Sequence, residues 1–507
     1  MNQENLFEPI PAEKFDLLSR EDLVEWAKVQ QRANENLLRE VERLRALHKV
    51  LEQSTLLVED QYIVLKGKYF GKSSEKSPKE DTDDEKTKKV AKTRVQLPSL
   101  RYPDAPLIEQ DVELKTLPTC KCCGTKMADS GMTEDSEFLT VIPKQYIVVR
   151  QKRHKYRCGK CHGDVKTAPS PPKIKQGSSL SDEMIQDVSL TKYCDLIPIQ
   201  RYVAIADRSG IKDLPPQSLI EATHNLADFV KPVHELLKKE VTESKVLHAD
   251  ETPHRMLEGD EKSNWYLWGF SSKKASYFEC HDTRSGDVAS ELLSKSVCEF
   301  LVSDVFSGYG KSVRDTNEIR RNSNLPLVKN VYCNAHARRK FKEAKDSFES
   351  LAKTFTDFYK KIYHLESEVK SKPPDEILAA RTKMRPIFLA MKTETFANVG
   401  AYSSKSSIGK AMSYFLGNYN ELTLFLDHPD LPIDNNQQER LLRNPVIGRK
   451  TWYGTHSRRG AETAAMLFSL IESCKLNQIN PRQYFIQLVK DLHRGKPPYT
   501  PSQSKNH

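Results

Sequence analysis

Two short apolar runs in this chain each end in an acid. Lys245-Val246-Leu247-His248-Ala249 delivers Asp250-Glu251 just before Pro253, and Phe300-Leu301-Val302-Ser303 delivers Asp304 before the turn-like Ser307-Gly308. β-Branched and aromatic runs of this kind predict buried strands, with Pro253 expected to stop the first. An acid at such a strand end is held at one fixed point. A third acid, Glu439, stands in Asp434-Asn435-Asn436-Gln437-Gln438-Glu439-Arg440, which reads as the capped start of a helix. Two strand-end aspartates and a helical glutamate form a cage for a pair of hard divalent cations. Such ions stand about 3.5–4 Å apart and clamp the attacking and leaving oxygens of a phosphodiester. Taken singly, an Asp after a strand is more often a turn or cap residue. Glu251 and Asp434 are the rival ligands: Glu251 falls on the opposite face of a continuing strand, and Asp434 looks like a helix N-cap.

The surrounding sequence has the strands to carry this arrangement. Asn264–Phe270 and Ala275–Cys280 read as strands, Gly286–Ser296 as a helix, and Val297–Asp304 and Leu327–Cys333 as two further strands. Asp304 follows Asp250 by 54 residues, which suits an excursion of strands plus one helix. Glu439 follows Asp304 by 135 residues, too many for a bare core. Residues 345–430 fill that interval with helix formers, such as Phe348–Glu366 and Ser406–Tyr419, and predict an α-helical insertion.

Upstream, residues 21–66 read as one long helix. Leu23, Gln30, Leu37, Leu44, Leu51, Val58 and Leu65 recur every seven residues, and Ala27, Asn34, Val41, His48, Thr55 and Tyr62 fill the alternate seam. Leucines at one seam and a polar Asn34 at the other suit a parallel dimer, with Asn34 fixing register. The competing reading is an amphipathic helix packed on its own protein. From Glu75 to Arg94, thirteen of twenty residues are charged with both signs mixed, so no core forms there.

Cys120-Lys121-Cys122-Cys123-Gly124 and Cys158-Gly159-Lys160-Cys161 are two Cys-x-x-Cys knuckles. Thiolates at this spacing reach one tetrahedral Zn²⁺; Cys120, Cys123, Cys158 and Cys161 are the expected ligands, with Cys122 the alternative to Cys120. Four thiolates leave no open position, so the zinc is structural; a disulfide pair is the competing reading. Phe138–Ile142 and Gln145–Val149 predict strands between the knuckles, as in a zinc ribbon. The second half of this segment is almost purely basic: Lys144, Arg150, Lys152, Arg153, Lys155, Arg157, Lys160, Lys166, Lys173 and Lys175 meet one acid, Asp164. A single-sign stretch beside a zinc knuckle favours phosphate contact. After the break at Ala168-Pro169-Ser170-Pro171-Pro172, short helices and tight turns fit either a helix-turn-helix or an ordinary packing module.

A second basic track follows the glutamate. From Arg440 to Ala461 the chain holds six Arg or Lys and no acid, with Trp452 and Tyr453 interleaved. Arg443 lies four residues beyond Glu439, on the same helix face, where it can hold a phosphate. Arg449, Lys450, Arg458 and Arg459 continue this DNA track, and Arg338 and Arg339 open another helix beside His336, which reads equally as a core or capping residue. The chain is 507 residues long, enough for several domains, and its net charge of +10 matters only because the basic residues cluster. No apolar run approaches the roughly 20 residues of a membrane span, the polar N-terminus does not read as a signal peptide, and the scattered remaining cysteines fit a reducing cytosol.

The wording around these residues is familiar. His248-Ala249-Asp250-Glu251-Thr252-Pro253, Asn334-Ala335-His336-Ala337-Arg338-Arg339-Lys340-Phe341, Asp434-Asn435-Asn436 with Glu439-Arg440, and Ser469–Asn477 resemble transposases of the insertion-sequence-66 family. Tyr69-Phe70-Gly71-Lys72 also matches that family's phrasing, and the resemblance keeps its order over about residues 35–490. It implies a multidomain α/β protein: a leucine-zipper-like coiled coil at 15–70, a charged linker at 71–98, a zinc ribbon at 99–172 and a helical DNA-binding module at 173–240. A ribonuclease-H-like mixed sheet with its α-helical insertion would fill 241–480, and a C-terminal element 481–507. The implied activity is metal-dependent DNA strand cleavage and strand transfer by Asp250, Asp304 and Glu439, using two Mg²⁺ or Mn²⁺. The implied partners are terminal inverted repeats, target DNA, a second copy of the chain and small accessory transposition proteins, in the bacterial cytoplasm at the nucleoid. A non-catalytic zinc-ribbon DNA-binding regulator and a ribonuclease-H-like nuclease are the competing functions. The chain departs from the family at Val305-Phe306, at Asn334 in place of a usual Trp, and at Ala461 in place of a Gly; looser packing near the site is expected there.

Overall fold

The computed structural model describes residues 19–70, 97–103, 105–110, 112, 116–127, 136–158, 160, 165–257 and 264–506. Most of the charged linker, Cys161 and Asp164 lie outside the described residues. In chain order, α1 (Arg20–Phe70) and α2 (Pro98–Arg101) precede a hairpin of β1 (Lys155–Arg157) and β2 (Val165–Thr167). Helices α3 (Asp182–Tyr193), α4 (Ile199–Arg208) and α5 (Pro216–Thr242) follow. The main sheet begins with β3 (Val246–Arg255), β4 (Asn264–Ser271) and β5 (Ser276–His281). Helix α6 (Asp287–Ser294) leads to β6 (Phe300–Ser303), and α7 (Ser307–Arg320) leads to β7 (Lys329–Tyr332). A helical run follows: α8 (Asn334–Glu343), α9 (Glu349–Glu368), α10 (Pro374–Asn398), α11 (Ser407–Gly417) and α12 (Tyr419–Thr423). The order is completed by α13 (Asn436–Trp452), α14 (Arg458–Leu476) and α15 (Pro481–His493).

These elements fall into two compact units, Met1–Gly71 with Arg153–Asp207 and Lys212–His507, and Lys72–Lys152 with Arg208–Ile211. In the smaller unit the first cysteine knuckle is a tight turn. Thr119 and Lys126 form an antiparallel bridge, the Cys120 N–H donates to Thr125 O at 2.8 Å, and the Gly124 N–H donates to Cys120 O at 3.0 Å. Gly124 turns the chain at φ +73°, a conformation glycine takes without a Cβ penalty. The strands expected at 138–142 and 145–149 are absent: this segment has no ladder partner among the described residues, and Val148 is 97% exposed. β-Branched residues fit a pleated surface but do not supply the neighbouring strand.

In the larger unit, β1 and β2 flank the second knuckle, with Lys155 paired to Thr167 and Arg157 to Val165. The main sheet has the order β5-β4-β3-β6-β7. β3 is antiparallel to β4, β4 to β5, and β3, β6 and β7 are mutually parallel. β3 continues through Pro253, which pairs with Tyr266, instead of stopping there. Its pairing with β6 ends at His248, and proline is tolerated on a strand whose one edge lacks a partner.

The two sides of the sheet carry different cores. Leu247, Ala249 and Leu301 pack with Val230 and Leu237 of α5 and Leu470 of α14. Helices α3 and α5 thus share the core of the sheet, and His234 adds a hydrogen bond to Phe278 O at 3.2 Å. On the other side Val302 and Val331 pack with Phe341, Phe355, Phe388 and Phe415 of the helical run. Within that run the Arg381 guanidinium binds the Glu366 carboxylate and donates to the carbonyls of Phe425, His428 and Leu431. Along α1, Leu37, Leu44, Leu51, Val58 and Leu65 are exposed, while Asp60 is buried and accepts from the Ser407 N–H and hydroxyl at 2.8 and 2.6 Å.

Candidate active site

The parallel strands β3, β6 and β7 bring the chemistry-bearing residues to one end of the sheet. His248 pairs with Val302, so two residues further along each chain stand Asp250 and Asp304. Neighbouring strands lie about 4.8 Å apart, and residues of equal parity share a face. Burial, then the charges of Glu251, Asp304 and Glu439, push the Asp250 carboxyl up to about 8. Its Oδ1 accepts the Glu251 N–H at 2.9 Å, and Asp304 Oδ1 accepts the Phe306 N–H at 3.0 Å. On the far side of β6, β7 ends at Tyr332, and the Cys333 N–H donates to Ser303 O at 3.0 Å.

Glu439 comes to these strand ends in the first turn of α13. One residue of that entry, Asn435, fastens it. Its Nδ2 donates to Ala249 O at 2.9 Å, its Oδ1 pairs with His248 Nδ1 at 2.7 Å, and its N–H donates to Cys333 Sγ at 3.2 Å. Because Asn435 Oδ1 can only accept, His248 Nδ1 carries the proton. Burial pushes His248 down to about 4, so the ring is neutral. Gln437 Nε2 adds a bond to Ser272 O at 2.7 Å. Gln438 presses on Gly269, the β4 partner of Asp250; a Cβ there would stand 2.2 Å from Gln438 Nε2 and 2.7 Å from the Phe278 ring, so a larger residue would force those side chains to shift. Sequence reasoning missed Asn435 and Gly269. The Asp-Asn-Asn capping phrase was the visible signal for the first; the second had none.

Glu439 Oε1 stands 3.8 Å from His336 Nδ1, and Oε2 stands 3.8 Å from Arg339 Nη2. Both Oε1 and Nδ1 are buried atoms without a hydrogen-bond partner. The rival acids are occupied. Glu251 accepts from the Tyr309 hydroxyl at 2.5 Å and from Arg284 Nε at 2.8 Å. Asp434 accepts from the Asn436 N–H at 3.1 Å, Asn436 Nδ2 at 2.7 Å and the Tyr363 hydroxyl at 3.1 Å, a capping role. Of the three acids, Glu439 offers a buried oxygen without a hydrogen bond, and Asp250, within electrostatic range of Asp304 and Glu439, ionises readily only if positive charge is brought near it.

The departures from the family pattern leave no loosened packing. Asn334 is buried and its Nδ2 donates to Leu422 O and Ile433 O at 2.9 and 3.1 Å. Phe306 packs edge-on against Tyr309, with the Arg284 guanidinium 4.2 Å from its ring centroid. Ala461 is buried against Met256 and Trp265.

Arg440, Arg443, Arg339 and Lys450 are exposed, as are Lys152, Arg153, Lys155, Arg157, Arg458 and Arg459. Several of the basic residues, exposed or not, have partners within the fold: Arg153 donates to Ala168 O at 2.7 Å, and Arg339 stands beside Glu439. Arg449 donates to Thr252 Oγ1 at 3.2 Å and to Pro253 O. Arg459 binds Glu221 at 3.2 Å and Asp228 at 3.0 Å, Arg458 binds Glu462 at 2.9 Å, and Arg338 lies over the Tyr363 ring. Trp452 packs edge-on against Tyr193, whereas Tyr453 is exposed. In the smaller unit the thiols of Cys120, Cys122 and Cys123 lie within 4.8 Å of one another, which keeps both alternatives for the first ligand within reach of one ion. The Cys122 hydrogen bond, at 2.9 Å between sulfurs, chiefly pulls the Cys120 thiol down to about 6, toward the metal-binding thiolate.

Comparison with known proteins gives the class. Residues 177–463 match the model of the transposase IS66 family, and residues 118–162 match the zinc-finger binding domain of transposase IS66. The chain belongs to the IS66 family of transposases. It is similar to three uncharacterized proteins of Sinorhizobium fredii (strain NBRC 101917 / NGR234). It is 24% identical to y4hP over 395 residues, covering 73% of this chain and 70% of that one. It is 25% identical to y4jD over 389 residues, covering 74% and 75%, and 25% identical to y4qI over 390 residues, covering 74% and 71%. No helix among the described residues is long and apolar enough to cross a membrane.

Proposed function

We propose that Asp250, Asp304 and Glu439 are the catalytic centre of a DNA transposase that cleaves and joins strands at the terminal inverted repeats of its element. The carrying observation is the matched register: Asp250 and Asp304 follow paired residues on adjacent parallel strands, and Asn435 fastens the helix of Glu439 beside them. A β5-β4-β3-β6-β7 sheet with acids at these points supports a ribonuclease-H-like core. Mg²⁺ or Mn²⁺ held by the three carboxylates supplies, when bound, an activated water or 3′-hydroxyl and stabilisation of the departing 3′ oxygen.

The chain's own residues bind and orient the strand. Arg443 lies one helical turn beyond Glu439 and is exposed, as is Arg440, so both are placed to hold phosphates. Lys152, Arg153, Lys155 and Arg157 add a second phosphate-binding stretch beside the zinc knuckle. The first knuckle, Cys120 or Cys122 with Cys123, offers thiolates to a structural zinc; the family match at 118–162 spans both knuckles. The exposed heptad positions of α1 support a dimer through a coiled coil.

The test is strand nicking on DNA from the edges of the gene's own locus, with Mg²⁺ or Mn²⁺ and with accessory proteins present. Cleavage at discrete ends, lost in Asp250→Asn, Asp304→Asn and Glu439→Gln while DNA binding survives, is the expected result. Binding without cleavage under those conditions would make the protein a non-catalytic regulator. Cleavage of RNA–DNA hybrids without end preference would make it a nuclease.

A further inference from the structure

We propose that His336 is a metal ligand, binding through Nδ1 the same cation as Glu439, so that the centre carries a nitrogen donor and favours Mn²⁺ over Mg²⁺. The inference rests on the three-acid reading above and adds a fourth residue to it.

The fold places this histidine at the site. The Cys333 N–H bonds to Ser303, next to Asp304, and α8 begins directly after Cys333, so its first turn rises beside the acids. His336 Nδ1 and Glu439 Oε1 face each other at 3.8 Å, and neither has a hydrogen-bond partner. A hydrogen bond between them would need roughly 2.7–3.2 Å. Two atoms that ligate one ion at about 2.0–2.2 Å each stand roughly 3–4 Å apart, which is the separation seen. A simple ion pair accounts for the geometry less well. Arg339 already stands by the other oxygen of Glu439, and at 3.8 Å the facing atoms make no hydrogen bond, so a shared cation would satisfy both.

Cys333 lies in the same group, its sulfur within 4.8 Å of a ligand atom of each residue. That sulfur is occupied differently: it is buried and accepts the Asn435 N–H at 3.2 Å, so it fastens α13 and leaves the metal to His336 and Glu439. Oxygen-only sites suit Mg²⁺, whereas imidazole suits the transition metals. A histidine sharing a cation with Glu439 therefore shifts preference toward Mn²⁺.

The experiment is electron spin-echo envelope modulation on the full chain loaded with Mn²⁺. Nitrogen modulation is expected in the unsubstituted protein and should change on ¹⁵N-histidine labelling. It should vanish in His336→Gln and persist in Cys333→Ser. Mn²⁺ affinity should fall about tenfold or more in His336→Gln, with a smaller loss for Mg²⁺. Bound Mn²⁺ without histidine nitrogen modulation in the unsubstituted protein, or modulation that survives His336→Gln, overturns the role of His336. If Mn²⁺ binding in those same samples is still lost on Asp250→Asn, the three-acid reading stands; if Asp250→Asn changes nothing, both fail.

Discussion

Asp250 and Glu251 are adjacent on one strand and meet opposite environments. Glu251 is nearly fully buried, yet each of its oxygens has a donor, from Tyr309 or Arg284. Burial pushes its pKa up, and those two donors pull against that push. Asp250, one residue earlier, has a backbone N–H on one oxygen and three other carboxylates within electrostatic range. The first acid is satisfied by the protein itself, whereas the second keeps the charge-rich surroundings that the proposed catalytic role calls for. Strand alternation produces the contrast: consecutive side chains emerge on opposite faces, so an Asp-Glu pair meets two different environments.

The sharpest break of this comparison is to remove each acid in turn. Asp250→Asn should reduce metal-dependent nicking by roughly 100–1,000-fold or more, as loss of a preorganised electrostatic group does. In cation-free buffer at pH 8 the same variant should melt higher than the unsubstituted protein. Glu251→Ala should do the reverse to stability, because it strands the buried Tyr309 hydroxyl at a cost of about 1–3 kcal/mol. Thermal melts with and without Mg²⁺ check both arms. If Asp250→Asn lowered the melting temperature as much as Glu251→Ala, the two acids would share one structural role.

The pH dependence sharpens the same point. Asp250 has a folded pKa near 8 against roughly 3.9 unfolded, so its contribution to stability is present at low pH and lost as pH rises through about 8. Buried His234, His248 and His254, all near 4 against an ordinary 6.5, act in the other direction: their contribution is present above 6.5 and lost as pH falls toward 4. From these groups, cation-free stability should peak at about pH 6.5. Saturating Mg²⁺ should remove the fall on the alkaline side and leave the acid side unchanged. Melts across pH 4–9 would show it, and an alkaline fall unaffected by Mg²⁺ would count against a cation among the acids.

Much of this was legible beforehand, for local reasons. Strand-ending acids, heptads and cysteine knuckles announce themselves through short-range pattern. The expected strands at 138–149 failed because residue type cannot name a partner strand, and Pro253 failed to end β3 because tolerance depends on which neighbour is missing. Asn435 read only as a capping residue, since its bonds to Ala249 and His248 span 186 and 187 residues. Gly269 lay in a strand with no turn to explain it. Long-range fasteners of this kind carry no periodic signal.

Asn435 gives the next prediction. Asn435→Ala breaks the two side-chain bonds that hold α13 to β3, keeps the backbone bond to Cys333, and leaves the neutral His248 N–H without its acceptor. Nicking should fall about 10–100-fold, the usual effect of losing a group that orients metal ligands, with the rate constant falling more than DNA affinity. A loss confined to DNA affinity would place Asn435 outside the positioning of Glu439.

The smallest expected effect separates two groups of arginine. Arg440 and Arg443 are exposed on the glutamate helix, whereas Arg459 is held by Glu221 and Asp228. A cation that neutralises a phosphate releases counterions, so its removal flattens the dependence of log affinity on log salt by about 1. Arg440→Ala and Arg443→Ala should each do so on a duplex carrying the element's end. Arg459→Ala should leave the slope unchanged, because its charge already has acidic partners in the fold, and any loss should appear as a small shift in melting temperature. Equal slope changes for all three would mean that DNA displaces Glu221 and Asp228 from Arg459, so the track would extend onto α14.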